Sequence, residues 1–344
     1  MANIHDVARK AGVSKSTVSL VLNNSPLIKP ETAKLVMDAV EALQYVPNSN
    51  ARCLSNRTMN SLGIIILTED HITHEYSFGQ LAGLCTYNIA DGIYMGLSET
   101  DYSIATEYFC VANEPRALPK IVQNRRVDGI FVVGSFFDGS VIERIDQSGI
   151  PTFAVGIGRR VGIANAVLAD PEEGSYIGVK RLLETDHQRI CYLNCPSIFL
   201  SAEDRKNGAL RAACEGGYRF APGWFLYSGK NNGQSGYEIF RDFWLSGARP
   251  DGIVAANAPL ALGAVRYLTE IGVKIPEDIS IVVYEDSLLC GYSTPALSAI
   301  NIRKEKMGQI AAGLMLERLA NPDTASRILT VDPYLVNRDS VAQR

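Results

Sequence analysis

From Ser61 onward the chain alternates short, continuously apolar runs with amphipathic stretches, and this alternation restricts its fold more than any other feature. SLGIIIL (61–67), YSIATEYF (102–109), DGIFVVG (128–134), PTFAVG (151–156), RICYLN (189–194), DGIVAAN (251–257) and ISIVVY (279–284) all have strand length. Apolar character that is continuous rather than alternating belongs to strands buried on both faces, the condition of a parallel sheet. Helical periodicity fills the intervals, at 89–100, 118–125, 171–185, 202–215, 236–246, 260–271 and 304–319. The alternation predicts a doubly wound α/β fold. RRVDGIFVVG (125–134) and ARPDGIVAAN (248–257) share an Asp-Gly-Ile strand entry. That echo reads either as two lobes of like construction or as the coincidence of a common Asp-Gly turn.

The chain has 344 residues, enough for two or three compact units, and its first sixty follow a different grammar. Asn3-Ile-His-Asp6 offers a reciprocal cap, after which Ile4, Val7, Ala8 and Ala11 recur at helical spacing. Gly12-Val13-Ser14 then supplies a turn, an apolar plug and a new cap, the arrangement of a helix-turn-helix. In the second helix Val18, Val21 and Leu22 form the inward stripe, while Lys15, Ser16, Ser19 and Asn23 lie opposite. Leu20 projects among the polar residues, either to pack on a third helix or to meet a thymine methyl group in a DNA major groove. The third helix starts on Pro30, buries Leu35, Val36, Ala39, Val40 and Leu43, and stops at Pro47.

Charge separates the same two parts. Residues 1–57 carry seven Lys/Arg against four acids, a net +3, which leaves −7 on the remainder of a chain whose total is −4. A basic head on an acidic body fits a nucleic-acid-binding module tethered to a second function. Between them, after Pro47 and the capping Asn48, residues 49–55 have the length of two helical turns, too short to persist alone. Leu54 on that segment is placed to wedge into a minor-groove base step.

The order IHDVARKAGVSKSTVSLVLN, PETAKLVMDAVEALQYVPN, ARCLSNRT closely resembles the head and hinge helix of the lactose/galactose repressor (LacI/GalR) family of bacterial transcription regulators. The resemblance implies base reading by Lys15, Ser16 and Leu20, phosphate or groove contacts by Thr17, Ser19 and Asn23, and a hinge wedge at Leu54 flanked by Asn48 and Arg52. Two departures stand out. Leu20 replaces the arginine or histidine common at its position, so the half-site differs from the family average, and Lys29 replaces a capping serine. For the rest of the chain the resemblance implies two periplasmic-binding-protein-like lobes hinged around a ligand cleft. The expected domains are 1–58 for the head and hinge, and 59–344 for the body. Within the body one lobe is expected over 60–160 plus 288–322 and the other over 161–287 plus 323–344. A homodimer on a palindromic operator and a small-molecule effector are the implied partners, with no cofactor. The family's tetramer-forming tail is absent from the sequence, so a dimer is expected.

Ligands of open α/β sheets sit beyond the carboxyl ends of strands, which selects Ser135, Phe136, Asn257 and Glu285, with Asn231 on a nearby loop. Arg205 matches, by resemblance, the arginine that holds the effector, and its competing reading is a surface ion pair with Glu203 or Asp204. Gly156, Ala258 and Asn231 stand where sugar-binding members often place two Asp and an aromatic, which argues against an ordinary free sugar. Residues 68–86 are longer than the family's connection, and His71, His74, Tyr76 and Phe78 there either line the pocket or cover it.

Other classes find less support. No run approaches the roughly 18 apolar residues of a membrane span, and the N-terminus lacks a signal-peptide core, so the expected compartment is the cytoplasm. Seven cysteines without a CxxC pair or a histidine at ligand spacing read as free thiols, with no metal. The lone GxG of GIGRRVG (156–162) is no dinucleotide fingerprint, and GxSxG and a phosphate-binding loop are missing. An α/β enzyme or a solute-binding protein without a DNA role remains the alternative, and the basic head has nothing to do in either.

Overall fold

The computed structural model describes residues 2–22, 25, 27–45, 59–68, 82–110, 117–134, 139–157, 164–197 and 200–344. The chain divides into two compact units, Met1–Met59 and Asn60–Arg344. In the first, α1 (Ile4–Ala11), α2 (Lys15–Leu22) and α3 (Pro30–Ala42) close around Val7, Ala8, Val18, Val21, Val36 and Ala39. Asn3 Oδ1 accepts the N–H groups of His5 and Asp6, and the Asp6 carboxylate accepts that of Asn3, so the reciprocal cap forms. Gly12 ends α1 at φ 67°, a left-handed conformation that glycine takes without a Cβ clash. Ser14 Oγ accepts the Thr17 N–H at 3.0 Å and caps α2. Lys29 makes no capping bond, and α3 starts on Pro30. One expectation fails: Leu35 is 56% exposed. The inward stripe of α3 runs 36, 39, 40, 43, and Leu35 lies one position outside it.

The second unit holds two sheets. The first joins β1 (Ser61–Thr68), β2 (Ser103–Cys110), β3 (Gly129–Gly134), β4 (Thr152–Ile157), β5 (Ala166–Ala169) and β11 (Ile328–Val331) in the order β11-β5-β4-β3-β1-β2. The second joins β6 (Ile190–Asn194), β7 (Phe225–Tyr227), β8 (Gly252–Ala255), β9 (Ser280–Tyr284), β10 (Ser298–Asn301) and β12 (Tyr334–Val336) in the order β12-β10-β9-β8-β6-β7. Strand for strand, the two orders are the same. Among the described strand pairs all are parallel except β10 with β12. An antiparallel edge strand needs no crossover helix, which suits so short a final strand.

The lobe boundaries differ from the expected ones. Residues 166–169 and 328–331 complete the first sheet, while 298–301 lie in the second. The chain therefore passes between lobes after β5, after β10 and between β11 and β12. The strands responsible, AVLA, SAIN and ILTV, are too short to register as separate apolar runs.

Helices cover the sheets. In the first lobe α4 (Ala82–Leu97) packs against α12 (Lys304–Ala320), with α5 (Lys120–Asn124) against β2, and α6 (Gly139–Asp146) adding Val141, Ile142 and Ile145 to the core. In the second, α7 (Pro171–Leu183) packs on α8 (Leu200–Glu215) and α9 (Gly233–Leu245) on α10 (Ala258–Glu270), while α11 (Leu288–Tyr292) leads into β10. Three of these crossings depend on missing side chains, and a Cβ on Gly208 of α8 would run into the Glu172 carbonyl oxygen of α7. A Cβ on Gly308 would fall 2.2 Å from the Ile89 carbonyl oxygen, and one on Gly263 would fall 2.1 Å from that of Gly233.

The Asp-Gly-Ile echo has a structural cause. Gly129 and Gly252 begin the equivalent strands β3 and β8, and the aspartate before each ties down the start of its lobe's first strand. Asp128 Oδ2 accepts the Ser61 N–H at 3.3 Å. Asp251 accepts the N–H groups of Gln188 at 3.2 Å and Arg189 at 2.9 Å. The like-construction reading holds. No helix among the described residues is long and apolar enough to cross a membrane, and Cys110, Cys191, Cys195, Cys214 and Cys290 are free thiols.

Candidate functional site

Two places in the molecule gather the residues singled out from the sequence. On the head, α2 turns Val18 and Val21 inward, leaving Lys15, Ser16 and Leu20 exposed and Thr17 and Ser19 half-buried. Leu20 is 40% exposed, so it faces outward and does not act as a strut against α3. Ser16 and Leu20 lie one turn apart on the same side. The face thus combines an ammonium group, a hydroxyl and an aliphatic tip, chemistry suited to phosphates, base-edge acceptors and a thymine methyl group. Asn23, Asn48, Arg52 and Leu54 lie outside the described residues.

On the body, the carboxyl edge of the second sheet brings together Tyr284 at the end of β9, Asn257 after β8, Cys195 after β6 and Ser228 after β7. Arg205, on α8, reaches across this edge. It is 4% exposed, which overturns the surface ion-pair alternative, and Glu203 pairs with Lys206 instead. Its Nη1 donates to Cys195 Sγ at 3.0 Å and to Ser201 Oγ at 3.2 Å, and its guanidinium lies 4.5 Å over the Tyr284 ring. On α7, a Cβ at Gly174 would meet that ring at 2.4 Å, so the glycine admits the tyrosine from behind. Burial raises the Cys195 thiol, which Arg205 therefore meets in its neutral form. Burial likewise pushes the Tyr192 phenol up to about 12, and its hydroxyl is 2.5 Å from Ser175 Oγ.

The remaining predicted positions divide. Asn257 Oδ1 caps α10 through the Leu260 N–H at 2.9 Å, and its Nδ2 donates to Asn231 Oδ1 at 2.8 Å, so these two sit together. Glu285 follows Tyr284 in a left-handed conformation, φ 80°, and pairs with Lys304 Nζ at 3.0 Å. Lys304, 5% exposed, opens α12 of the first lobe, and the bond therefore spans the two lobes. Ser135, Phe136, His71, His74, Tyr76 and Phe78 lie outside the described residues. Sequence reasoning passed over Tyr284, Cys195, Ser201, Ser228 and Lys304. The available signal was a tyrosine closing a fully buried strand immediately before a selected glutamate.

A helix-turn-helix head joined to two like α/β lobes with a polar strand edge defines a class, the ligand-regulated DNA-binding proteins. Residues 3–48 match the family model described as bacterial regulatory proteins, lacI family, and residues 179–341 match that of a periplasmic binding protein-like domain. The chain is similar to the HTH-type transcriptional repressor PurR of Mannheimia succiniciproducens, 29% identical with 99% of each chain covered. It is also similar to that of Vibrio cholerae, 28% identical with 99% of this chain and 98% of the relative covered. Among solved structures, the lac repressor dimer bound to operator and the anti-inducer ONPF superposes with a TM-score of 0.82 at 24% identity, covering 99% of both chains. A CelR–cellobiose complex gives 0.71 at 24% identity, covering 99% of this chain and 100% of the other.

The chain belongs to the LacI/GalR family of transcriptional regulators and is an effector-regulated DNA-binding repressor rather than an enzyme.

Proposed function

We propose that the protein binds a palindromic operator as a homodimer, in the cytoplasm where the bacterial chromosome lies, and that a small molecule at the carboxyl edge of the body's strands sets the operator affinity. Lys15, Ser16 and Leu20 read bases, Thr17, Ser19 and Asn23 hold phosphates or groove walls, and Asn48, Arg52 and Leu54 act at the centre of the site. Ser135, Phe136, Arg205, Asn231, Asn257 and Glu285 hold the effector. One head makes too few contacts for tight specific binding, and two-fold symmetry doubles them. The effector shifts the lobe arrangement that lets the two hinges pair, by no more than its differential affinity for the two arrangements.

The observation that carries this reading is the outward Lys15–Ser16–Leu20 face on the same chain as the buried Arg205, whose hydrogen bonds among the described residues go to a thiol and a hydroxyl. Supporting it, the similar PurR proteins are transcriptional repressors, and one similar structure is of a repressor dimer on operator DNA. Fluorescence anisotropy on the gene's own upstream DNA tests it. A palindrome there is expected to bind at least about a thousand-fold more tightly than random duplex, and Lys15→Ala to weaken it. Leu20→Arg is expected to shift preference towards guanine at one symmetric position, worth about 1–3 kcal/mol. Equal binding to any duplex at moderate salt would sink the proposal.

A further inference from the structure

The carboxyl edge of the second sheet is rich in donors and poor in available acceptors. Arg205 lies within ion-pair distance of no carboxylate among the described residues, and both of its hydrogen bonds leave from Nη1 to a thiol and a hydroxyl. Its Nε, the Tyr284 hydroxyl and Ser228 Oγ are all buried with no partner in the described structure. Ser228 belongs to the same cluster, because its N–H donates to the carbonyl of Asn194, the neighbour of Cys195. Asn231 Oδ1 is taken by Asn257, leaving its NH2 as another donor. The nearby carboxylates are already engaged. Glu285 pairs with Lys304, Asp286 lies 2.9 Å from Arg338, and Asp170 caps α7 through the N–H groups of Glu172 and Glu173.

A sugar presents a donor with every acceptor and needs carboxylates to receive its hydroxyl protons, and Gly156 and Ala258 supply none. A carboxylate presents acceptors only, and its planar pair of oxygens matches the planar N–H fork of a guanidinium. A phosphate dianion would call for a second cation, and Lys304 is occupied by Glu285.

We propose that the effector of this repressor is a small organic acid whose carboxylate is received by Arg205 together with the Tyr284 and Ser228 hydroxyls. The proposal deepens the effector site described above and rests on that reading. The aryl face of Tyr284 lies under the guanidinium and its ring edge packs close to Gly174, which holds the fork in one plane. The carboxylate then supplies the ion-pair partner that no described carboxylate gives this buried cation.

The test uses the full chain in thermal-shift and titration experiments at constant ionic strength. The carboxylates are acetate, gluconate and glucuronate, set against the neutral acetamide and glucose, with glucose 6-phosphate and hypoxanthine as further probes. The expected result is stabilisation by a carboxylate and not by its neutral counterpart, with binding weakened at least about ten-fold in Arg205→Gln and about three- to ten-fold in Tyr284→Phe. Tyr284→Phe removes one oxygen and keeps the ring, so it remains informative if Arg205→Gln does not fold. Equal shifts from acid and neutral probes, a shift from glucose 6-phosphate or hypoxanthine alone, no shift from any carboxylate, or an acid response unchanged in both variants would each overturn the proposal. Operator binding measured in parallel separates the two readings. Tight palindrome binding without an acid response overturns the effector class alone, and an acid response without operator selectivity overturns the repressor mechanism alone.

Discussion

The two lobes follow one strand order, yet they fasten their first strands differently. In the first, the Asp128 carboxylate takes the Ser61 N–H at 3.3 Å. In the second, Asp251 takes two, at 2.9 and 3.2 Å, and also lies 3.7 Å from the Arg189 guanidinium. The packing beneath the paired glycines differs as well. Gly129 faces Met315, whereas Gly252 faces Leu182 and His187. A shared motif therefore marks a shared joint, a carboxylate that receives backbone N–H groups at the start of its lobe's first strand, while the side chains packed beneath it are free to differ. The joint of the first lobe stands next to Asn60 in the chain, where the body begins.

Substitutions can break or sharpen this comparison. The largest effect is expected where the lobes should agree. Gly308→Ala and Gly263→Ala each drive a methyl group into a backbone carbonyl, and each should cost about 3 kcal/mol in urea unfolding. A cost confined to one lobe would show that the helix crossings are not equivalent. A smaller pair of effects comes next. Asp251→Ala leaves two backbone donors without their acceptor and should cost about 2–3 kcal/mol, and Asp128→Ala, which frees the Ser61 N–H, should destabilise as well. An unchanged midpoint in either variant would show that its aspartate does not hold the joint.

The smallest effect depends on pH. Burial lowers the His187 pKa below its ordinary 6.5; Nδ1 lies 3.0 Å from the Leu182 carbonyl oxygen, and Nε2 has no partner in the described structure. A depressed pKa contributes stability that is present above the unfolded-state value and lost as pH falls through the folded one. Denaturation midpoints should therefore drop as pH is lowered from 7.5 through 6.5 towards 5.5. His187→Met, which copies the thioether beneath Gly129, should flatten that drop, and an unchanged slope would assign it to other groups.

Much of this was legible in the residues because the physics is local. Caps at Asn3 and Ser14, the stop at Gly12 and the start at Pro30 follow from neighbouring atoms, and long runs such as GIIIL identify buried strands without help. What escaped depends on distant partners. AVLA, SAIN and ILTV become strands only because a sheet is waiting for them, and misassigning them displaced the lobe boundaries. Leu35 looks like a core residue in a helical count and falls just outside the stripe that α1 and α2 select. At the effector edge, Arg205 was found through resemblance. Its neutral surroundings of Cys195, Ser201 and Tyr284 came from three different elements, and no spacing rule joins them.

The interleaving of the lobes also bears on how the molecule is made. Neither sheet is a contiguous piece of sequence, since β11 completes the first and β12 the second within residues 328–336. During translation, both halves must wait for their closing strand until those residues leave the ribosome. An unfinished chain thus exposes two incomplete sheet edges at once, and the two lobes reach their final form nearly together.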